Sequence, residues 1–349
     1  MEELKRKTYL EVNIKNIQTN VEKIITRYNG YETYFGVVKA NSYGHGIENV
    51  VGAIIKGGCN YLAVATLEEA LEIRKIYKKI PILILGIVDI NLLEYCIEEN
   101  ITITISSIEY ATKIVNIKDL KKHIKINTGM NRLGIKNINE VQEVCNILED
   151  IEGIYSHIHS ADNLEKYQKQ LYLFEKVLEL EECKDIKIKH ISASESIVNY
   201  EKKNNINGCR LGIIMYGFTE VKMEPKSTFT LKSEVIQINK ICKGESVGYN
   251  GEFVAQKDEY IAVLPIGYAD GIIRKNTGRD VFINNKRYPI VGNICMDMLF
   301  VKVDETVSIQ DKVLVIKDIE HIKEIAKYLE TIPYEVLCQI GRRVNRIYR

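Results

Sequence analysis

Eight strand-like segments alternate with helical ones between residues 34 and 214, and this alternation leaves the first two-thirds of the chain few folds to choose from. Strands are expected near 34–38, 61–65, 82–86, 102–105, 123–127, 153–158, 187–191 and 209–214. Each is a short apolar run. Between them lie segments such as Thr66-Leu-Glu-Glu-Ala-Leu-Glu-Ile-Arg74 and residues 167–180, where apolar residues return at helical spacing. Repetition of this kind builds parallel sheets, and eight units suit a closed (β/α)8 TIM-like barrel. An open doubly wound sheet is the alternative, disfavoured because no GxGxxG follows the first strand.

Near Lys222-Met-Glu-Pro-Lys-Ser227 the pattern changes. Residues 231–239, 259–264, 281–283, 298–303 and 312–317 are short β-rich stretches separated by Gly, Asn and Asp, with no long helix until 319–331. The fold class expected is therefore α/β, a barrel over residues 1–225 followed by a mostly β C-terminal domain over 226–349, and 349 residues suffice for both. Tyr9-Leu-Glu-Val-Asn-Ile14 also alternates, which leaves residues 1–14 open to packing with the second domain.

Charge and cysteine usage exclude several classes. With 48 basic against 47 acidic residues, net +1, there is no general field for nucleic acid or a membrane surface. The opening Met1-Glu-Glu-Leu-Lys-Arg-Lys7 lacks the apolar core of a signal peptide, and runs such as Ile80 to Val88 are too short to span a bilayer. The 8 cysteines form no CxxC pair and read as small buried residues. A cytoplasmic location is expected, with no metal site.

Polar groups gather where barrel strands should end. Lys39 closes the run Tyr34 to Val38, and a small-residue loop, Ala40-Asn-Ser-Tyr-Gly-His-Gly46, follows at once. An amine at the C-terminal rim of a barrel strand is placed for nucleophilic attack on a carbonyl once partly desolvated. Lys125, Asn127 and Arg132 lie on and after the fifth strand, His157 and His159 end the sixth, and His190 and Ser194 belong to the seventh. Arg210 sits in an otherwise apolar eighth strand, where a permanent charge needs specific partners. Taken singly, a rim histidine is more often just hydrogen-bonded to a neighbour, and a lone lysine a solvated end residue. Leu211-Gly-Ile213 with Ser194 offers backbone amides and a hydroxyl for a phosphate at the barrel top. A Schiff-base lysine, a phosphate cradle and a buried arginine together suggest pyridoxal 5′-phosphate (PLP).

In six blocks the sequence resembles the alanine racemase family: Val38-Lys-Ala-Asn-Ser-Tyr-Gly-His-Gly46, Lys125-Ile-Asn-Thr-Gly-Met-Asn-Arg-Leu-Gly134, Arg210-Leu-Gly-Ile-Ile-Met-Tyr-Gly217, Val247-Gly-Tyr249, Leu264-Pro-Ile-Gly-Tyr-Ala-Asp-Gly271 and Val291-Gly-Asn-Ile-Cys-Met-Asp297. The resemblance covers essentially the whole chain. It implies a head-to-tail homodimer that interconverts L- and D-alanine for peptidoglycan by two bases, Lys39, which also anchors PLP, and Tyr249 from the partner subunit. It further implies that Arg132 orients that tyrosine and, with the backbone of Met296, receives the substrate carboxylate. By the same resemblance Lys125 matches a carbamate-bearing lysine, Arg210 faces the pyridine nitrogen with His157 nearby, and Tyr43, Ser194, Gly212 and Ile213 contact the phosphate. Tyr268 and Asp297 would line the entrance.

The sequence departs from the family pattern in places. Ala193 replaces the asparagine of an Asn-Ser pair, Asn127 a common aspartate and Asn345 a common proline. Arg342 stands where some members place a phosphate-bonding tyrosine, which opens a serine or broader-specificity racemase as the alternative. A decarboxylase on the same plan would need a carboxylate in place of Arg210. A non-catalytic PLP carrier would lack the second domain and with it Tyr249.

Overall fold

The computed structural model describes residues 6–219 and 224–349. The opening residues 1–5 and part of the expected changeover, 220–223, lie outside them. By chain contacts the protein divides into two compact units. One comprises Ile17–Ser42 and Ile47–Pro225, the other the residues up to Asn16, Tyr43–Gly46 and Lys226–Arg349.

The strands in chain order begin with β1 (Tyr9–Val12), which belongs to the second unit. The barrel follows: β2 (Thr33–Val37), β3 (Tyr61–Val64), β4 (Ile82–Ile84), β5 (Ile103–Ile105), β6 (Lys122–Lys125), β7 (Ile151–Tyr155), β8 (Ile188–Ala193) and β9 (Gly208–Leu211). These are the eight strands expected. Their order, β4-β3-β2-β9-β8-β7-β6-β5, is parallel throughout. A single bridge, Leu83 to Thr102, joins the two edges and closes the cylinder. Strands buried on both faces read as continuous apolar runs, and β3, β4 and β5 are buried along their whole length. The outer helices bury one stripe each; Leu164–Leu178 turns Tyr167, Leu171, Phe174 and Leu178 inward at helical spacing. Side chains of Thr66, Ser107 and Asn163 cap their helices and fix where each begins.

In the second unit a nine-stranded sheet has the order β11-β14-β17-β16-β15-β18-β10-β1-β19. Its later strands are β10 (Phe229–Glu234), β11 (Gln237–Ile241), β14 (Glu259–Leu264), β15 (Asp280–Ile283), β16 (Lys286–Val291), β17 (Leu299–Val303), β18 (Lys312–Ile316) and β19 (Asn345–Tyr348), with a separate small pair β12 (Ser246–Val247) and β13 (Phe253–Val254). The stretch expected as one segment, 231–239, is two strands. They part at Val235-Ile236, β10 pairing with β1 and β18 and β11 with β14. No helix among the described residues is long and apolar enough to cross a membrane.

The connection after β2 carries the strongest local strain. Ala40, Asn41, Ser42 and Tyr43 all take left-handed backbone angles, with φ between 51° and 54°. For L-residues with a Cβ this costs roughly 1–2 kcal/mol each, so surrounding bonds must hold it. Asn41 Oδ1 accepts from the Ile47 amide at 2.9 Å, and the Ser42 amide donates to the Val38 carbonyl at 2.9 Å. Glu69 supplies the third restraint. One carboxylate oxygen accepts from the Ala40 amide at 2.6 Å and the other from the Ala65 amide at 2.8 Å. Thr66-Leu-Glu-Glu69 is a capping-box pattern in which the glutamate reaches past the cap and ties the turn after β2 to the end of β3.

Glu69→Ala should therefore loosen the turn that carries Lys39, at a cost of about 1–2 kcal/mol for two charge-assisted bonds at a half-buried site. Amide hydrogen exchange at Ala40 and Ala65 should accelerate in this variant. Unchanged protection at both amides would remove Glu69 from this role.

Candidate active site

Lys39 lies two residues past the end of β2 and is half-buried; between them the Val38 amide donates to the Ala63 carbonyl and carries the chain to the barrel rim. Lys125 ends β6 and is buried. Burial lowers its pKa first; Arg132, Arg210 and Lys39 then act on it as further cations, bringing it to about 8. The sequence thus disperses between positions 39 and 210 four cationic groups that the barrel collects. His157, just past β7, is held neutral by burial and then by the same four cations, its pKa pushed down to about 3. The Tyr155 ring forms a wall beneath two of them, with Lys125 Nζ and the Arg210 guanidinium carbon each 5.4 Å from its centroid.

Arg210, on β9, is 3% exposed, and its hydrogen-bond acceptors are all neutral. It donates to the carbonyls of Ser156 at 2.7 Å, Ile191 at 3.1 Å and His190 at 3.4 Å, and to the Nδ1 atoms of His190 at 2.6 Å and His157 at 3.2 Å. Burial lowers its pKa only to about 10, so it stays charged at neutral pH. Nearby, the Gly212 amide donates to Ser194 Oγ at 3.0 Å, which leaves the serine hydroxyl hydrogen available to an anion. Ile213 opens a short 3-10 turn over 213–216. Ala193 takes the position before the helix Ser194–Asn199, where Ser196 Oγ accepts from its amide at 2.8 Å and donates back to its carbonyl at 2.9 Å. Asn127 shapes the approach to Arg132, its Oδ1 accepting from the amides of Gly129 at 3.1 Å and Asn131 at 3.0 Å.

This donor set fits PLP. Cations at the barrel mouth suit an anionic cofactor and an anionic substrate, and Lys39 lies two residues past the end of the first barrel strand. Ser194, Gly212 and Ile213 offer a hydroxyl and backbone at the end of β8 and β9. No group of three or more histidine, cysteine or acidic side chains among the described residues is arranged to hold a metal.

The remaining expected residues lie in the second unit. Tyr43 is buried there, its ring 6.0 Å from that of Tyr334, and burial raises its phenol pKa. Tyr249, Tyr268, Met296 and Asp297 come together on three adjoining loops. Asn293 Nδ2 donates to the Tyr249 carbonyl at 2.8 Å, the Tyr268 amide to the Cys295 carbonyl at 3.0 Å, and the Ala269 amide to the Met296 carbonyl at 3.1 Å. Gly267 permits that approach, since a Cβ there would lie 2.3 Å from the Cys295 carbonyl. Tyr249 is 71% exposed and Met296 53%. Arg342 is exposed as well. Its neighbour Arg343 carries the ion pairs, to Asp297 at 2.7 Å and to Asp270 at 2.9 Å, where Arg6 also binds.

Sequence reasoning passed over Glu69, whose capping-box spacing was a usable signal, and Arg343, for which there was none. It also passed over His123 and Glu152. The signal for His123 was a run of charged and polar residues, Lys122-His-Ile-Lys125, inside a strand that is buried at every position.

Two family models match the chain, the alanine racemase N-terminal domain over residues 12–220 and the alanine racemase C-terminal domain over 228–348. Alanine racemase 1 of Bacillus subtilis is 37% identical, the match covering 98% of this chain and 93% of the relative. The solved structure of alanine racemase from Clostridium difficile 630 superposes with a TM-score of 0.93 at 34% identity, covering 99% of this chain and 97% of that one. The structure of alanine racemase from Bacillus anthracis with bound L-Ala-P gives 0.91 at 30% identity, with 99% and 96% covered. With both domains matched in order and nearly the whole length shared, the chain belongs to the alanine racemase family.

Proposed function

We propose that this protein is a PLP-dependent racemase that interconverts L- and D-alanine, supplying D-alanine for peptidoglycan. The observation that carries this reading is the gathering of Lys39, Lys125, Arg132 and Arg210 at one barrel mouth, with Lys39 immediately before the strained turn that follows β2. When bound, PLP supplies the electron sink that makes the Cα proton of an amino acid removable.

The chain's own residues do the rest. Lys39 holds the cofactor and moves the proton on one face. Ser194, Gly212, Ile213 and Tyr43 bind its phosphate, and Arg132 with the Met296 amide receives the substrate carboxylate. Arg210 places a permanent donor against the ring nitrogen, so that no proton settles there, and neutral His157 stays beside it. Tyr249 serves the opposite face. A phenol titrates near 10 when free, so it needs a neighbouring cation to act as a base, and Arg132 has that role. Tyr268 and Asp297 border the entrance, and Arg342 tunes its specificity.

The protein works as a homodimer in which Tyr249 enters the partner subunit's site. What supports this is the exposure of Tyr249, Tyr268, Met296 and Met298 on the isolated chain, a group of large apolar and aromatic side chains of the kind that partners cover. Lys125, with its ammonium destabilised by burial and three cations, reacts as the free amine with carbon dioxide, forming an N–C bond and releasing one N–H proton to solvent. The carbamate so formed reverses the charge at this position and pairs with Arg132.

PLP-loaded protein should be yellow and should racemise L-alanine ahead of other L-amino acids when products are separated on a chiral column. Borohydride should fix the cofactor on Lys39; an adduct on another lysine would refute the anchoring role. With 13C-bicarbonate, wild-type protein should give a carbamate carbon signal that Lys125→Ala lacks, and a wild-type spectrum without it would remove the carbamate.

Tyr249→Phe should keep the cofactor yet lose Cα proton exchange from L-alanine far more than from D-alanine. Lys39→Ala and Tyr249→Phe homodimers should each be inactive. After subunit exchange they should recover about a quarter of wild-type activity, since half the dimers carry one intact site in two. No recovery from proven heterodimers would place both bases in one chain.

A further inference from the structure

Arg210 is charged and deeply buried, yet no carboxylate touches it among the hydrogen bonds and ion pairs of the described residues. A line of side chains leads from it to one. His190 Nε2 lies 3.0 Å from His123 Nδ1, and His123 Nε2 lies 3.3 Å from Glu152 Oε2. Glu152 is the second residue of β7, at the opposite end of that strand from His157.

The direction of every bond in this line is fixed by chemistry. A guanidinium only donates, so His190 Nδ1 must present its lone pair to Arg210. Burial disfavours the charged form of both imidazoles, so each is neutral and carries one proton. His190 then holds its proton on Nε2 and donates to His123 Nδ1. His123 is left with its proton on Nε2, facing Glu152. Only an acceptor can sit there. Tyr61 at 2.7 Å and Thr102 at 3.2 Å approach the same Glu152 oxygen, which suits an ionised carboxylate. Burial alone would raise the Glu152 pKa; the bonds from His123 and Tyr61 outweigh it and bring it to about 2.

The rings are also held in place by packing. His190 is sandwiched between Phe35, at 4.4 Å and 20°, and Tyr155, at 4.7 Å and 10°. His123 stands edge-on to Phe35 at 86°. Two glycines make the room, because a Cβ on Gly153 would lie 2.5 Å from His123 Cε1 and one on Gly208 would lie 3.0 Å from His190 Cβ.

We propose that Glu152 is a positioning residue for the active site: through the single permitted tautomer of His123 and of His190 it holds Arg210 as a fixed donor toward the cofactor ring. The inference rests on the reading that Arg210 faces that ring. Replacing Glu152 by a side chain without an acceptor strands the buried His123 Nε2 proton, so His123 turns or moves that proton to Nδ1; His190 then loses the acceptor of its own Nε2 proton, and the pair no longer holds Arg210 in one position.

The test uses holoenzyme labelled with 15N-histidine, which contains six histidines. In wild-type protein His123 and His190 should both be neutral, protonated on Nε2 and bare on Nδ1; a proton on His190 Nδ1 overturns the proposal without any variant. Glu152→Met should mix or reverse these tautomers, shift the absorption of the bound cofactor, and lower kcat about tenfold with little change in KM, the usual scale for losing an outer orienting partner. Glu152→Gln can still accept from His123 through its amide oxygen, so it should keep the tautomers and most of kcat. Arg210→Glu tests the underlying reading separately. If Arg210→Glu shifts the cofactor spectrum and Glu152→Met does not, the role given to Glu152 is wrong. If neither shifts it, the placement of Arg210 against the ring is wrong, and the proposal falls with it.

Discussion

A guanidinium buried among neutral acceptors is the constraint on which the site's architecture depends. An unpaired buried charge would cost several kcal/mol, so the barrel must offer Arg210 a hole lined with lone pairs. It does so with carbonyls from the ends of β7 and β8 and with two imidazole nitrogens, which ties three neighbouring strands together through one β9 side chain. The same hole disfavours a carboxylate. An aspartate or glutamate there would face three carbonyl oxygens and could be bonded only by imidazoles that reverse their tautomers, so the decarboxylase alternative is opposed by the surroundings of residue 210 as well as by its identity.

The reactive lysine is held by a different device. Its strand is ordinary, but the four residues after it occupy a backbone region that chirality disfavours, and the restraint comes from outside the turn. A carboxylate on the helix that follows β3 grips the turn and the neighbouring strand end together. Strain at such a place persists only where the surroundings over-determine it. The lysine's direction is therefore a property of two adjacent strand–helix units, not of the motif that contains it.

This division explains what the sequence made legible. The eight barrel strands were readable because each is a compact apolar run between helical periods, and β14 and the helix starting at Ile319 were found within a residue or two for the same reason. β16 was missed: it carries Lys286, Arg287 and Pro289, which depress any strand signal, and its pairing with β15 and β17 overrides them. β10 and β11 merged into one because the apolar residues run across Val235-Ile236 without a turn signal. The left-handed turn was invisible, since Ala-Asn-Ser-Tyr contains no glycine to announce it. The cationic residues of the barrel mouth were found individually. The path from Arg210 to Glu152 was not, because it joins side chains of four strands, β6 to β9, that become neighbours only when the sheet forms.

The place of β1 has a consequence for how the chain is made. Tyr9 to Val12 lie between β10, in antiparallel register from Lys232, and β19, in parallel register from Asn345. The nine-stranded sheet thus needs residues from both ends of the sequence, with the whole barrel inserted between them. On the ribosome the barrel strands are complete long before residue 345 emerges. Until then β1 waits with one or both of its hydrogen-bonding edges bare. Pairings of such separation are slow to form, and exposed strand edges invite association with other chains. Residues 345–348 cover that edge, so their removal would expose a strand formed more than three hundred positions earlier in the chain.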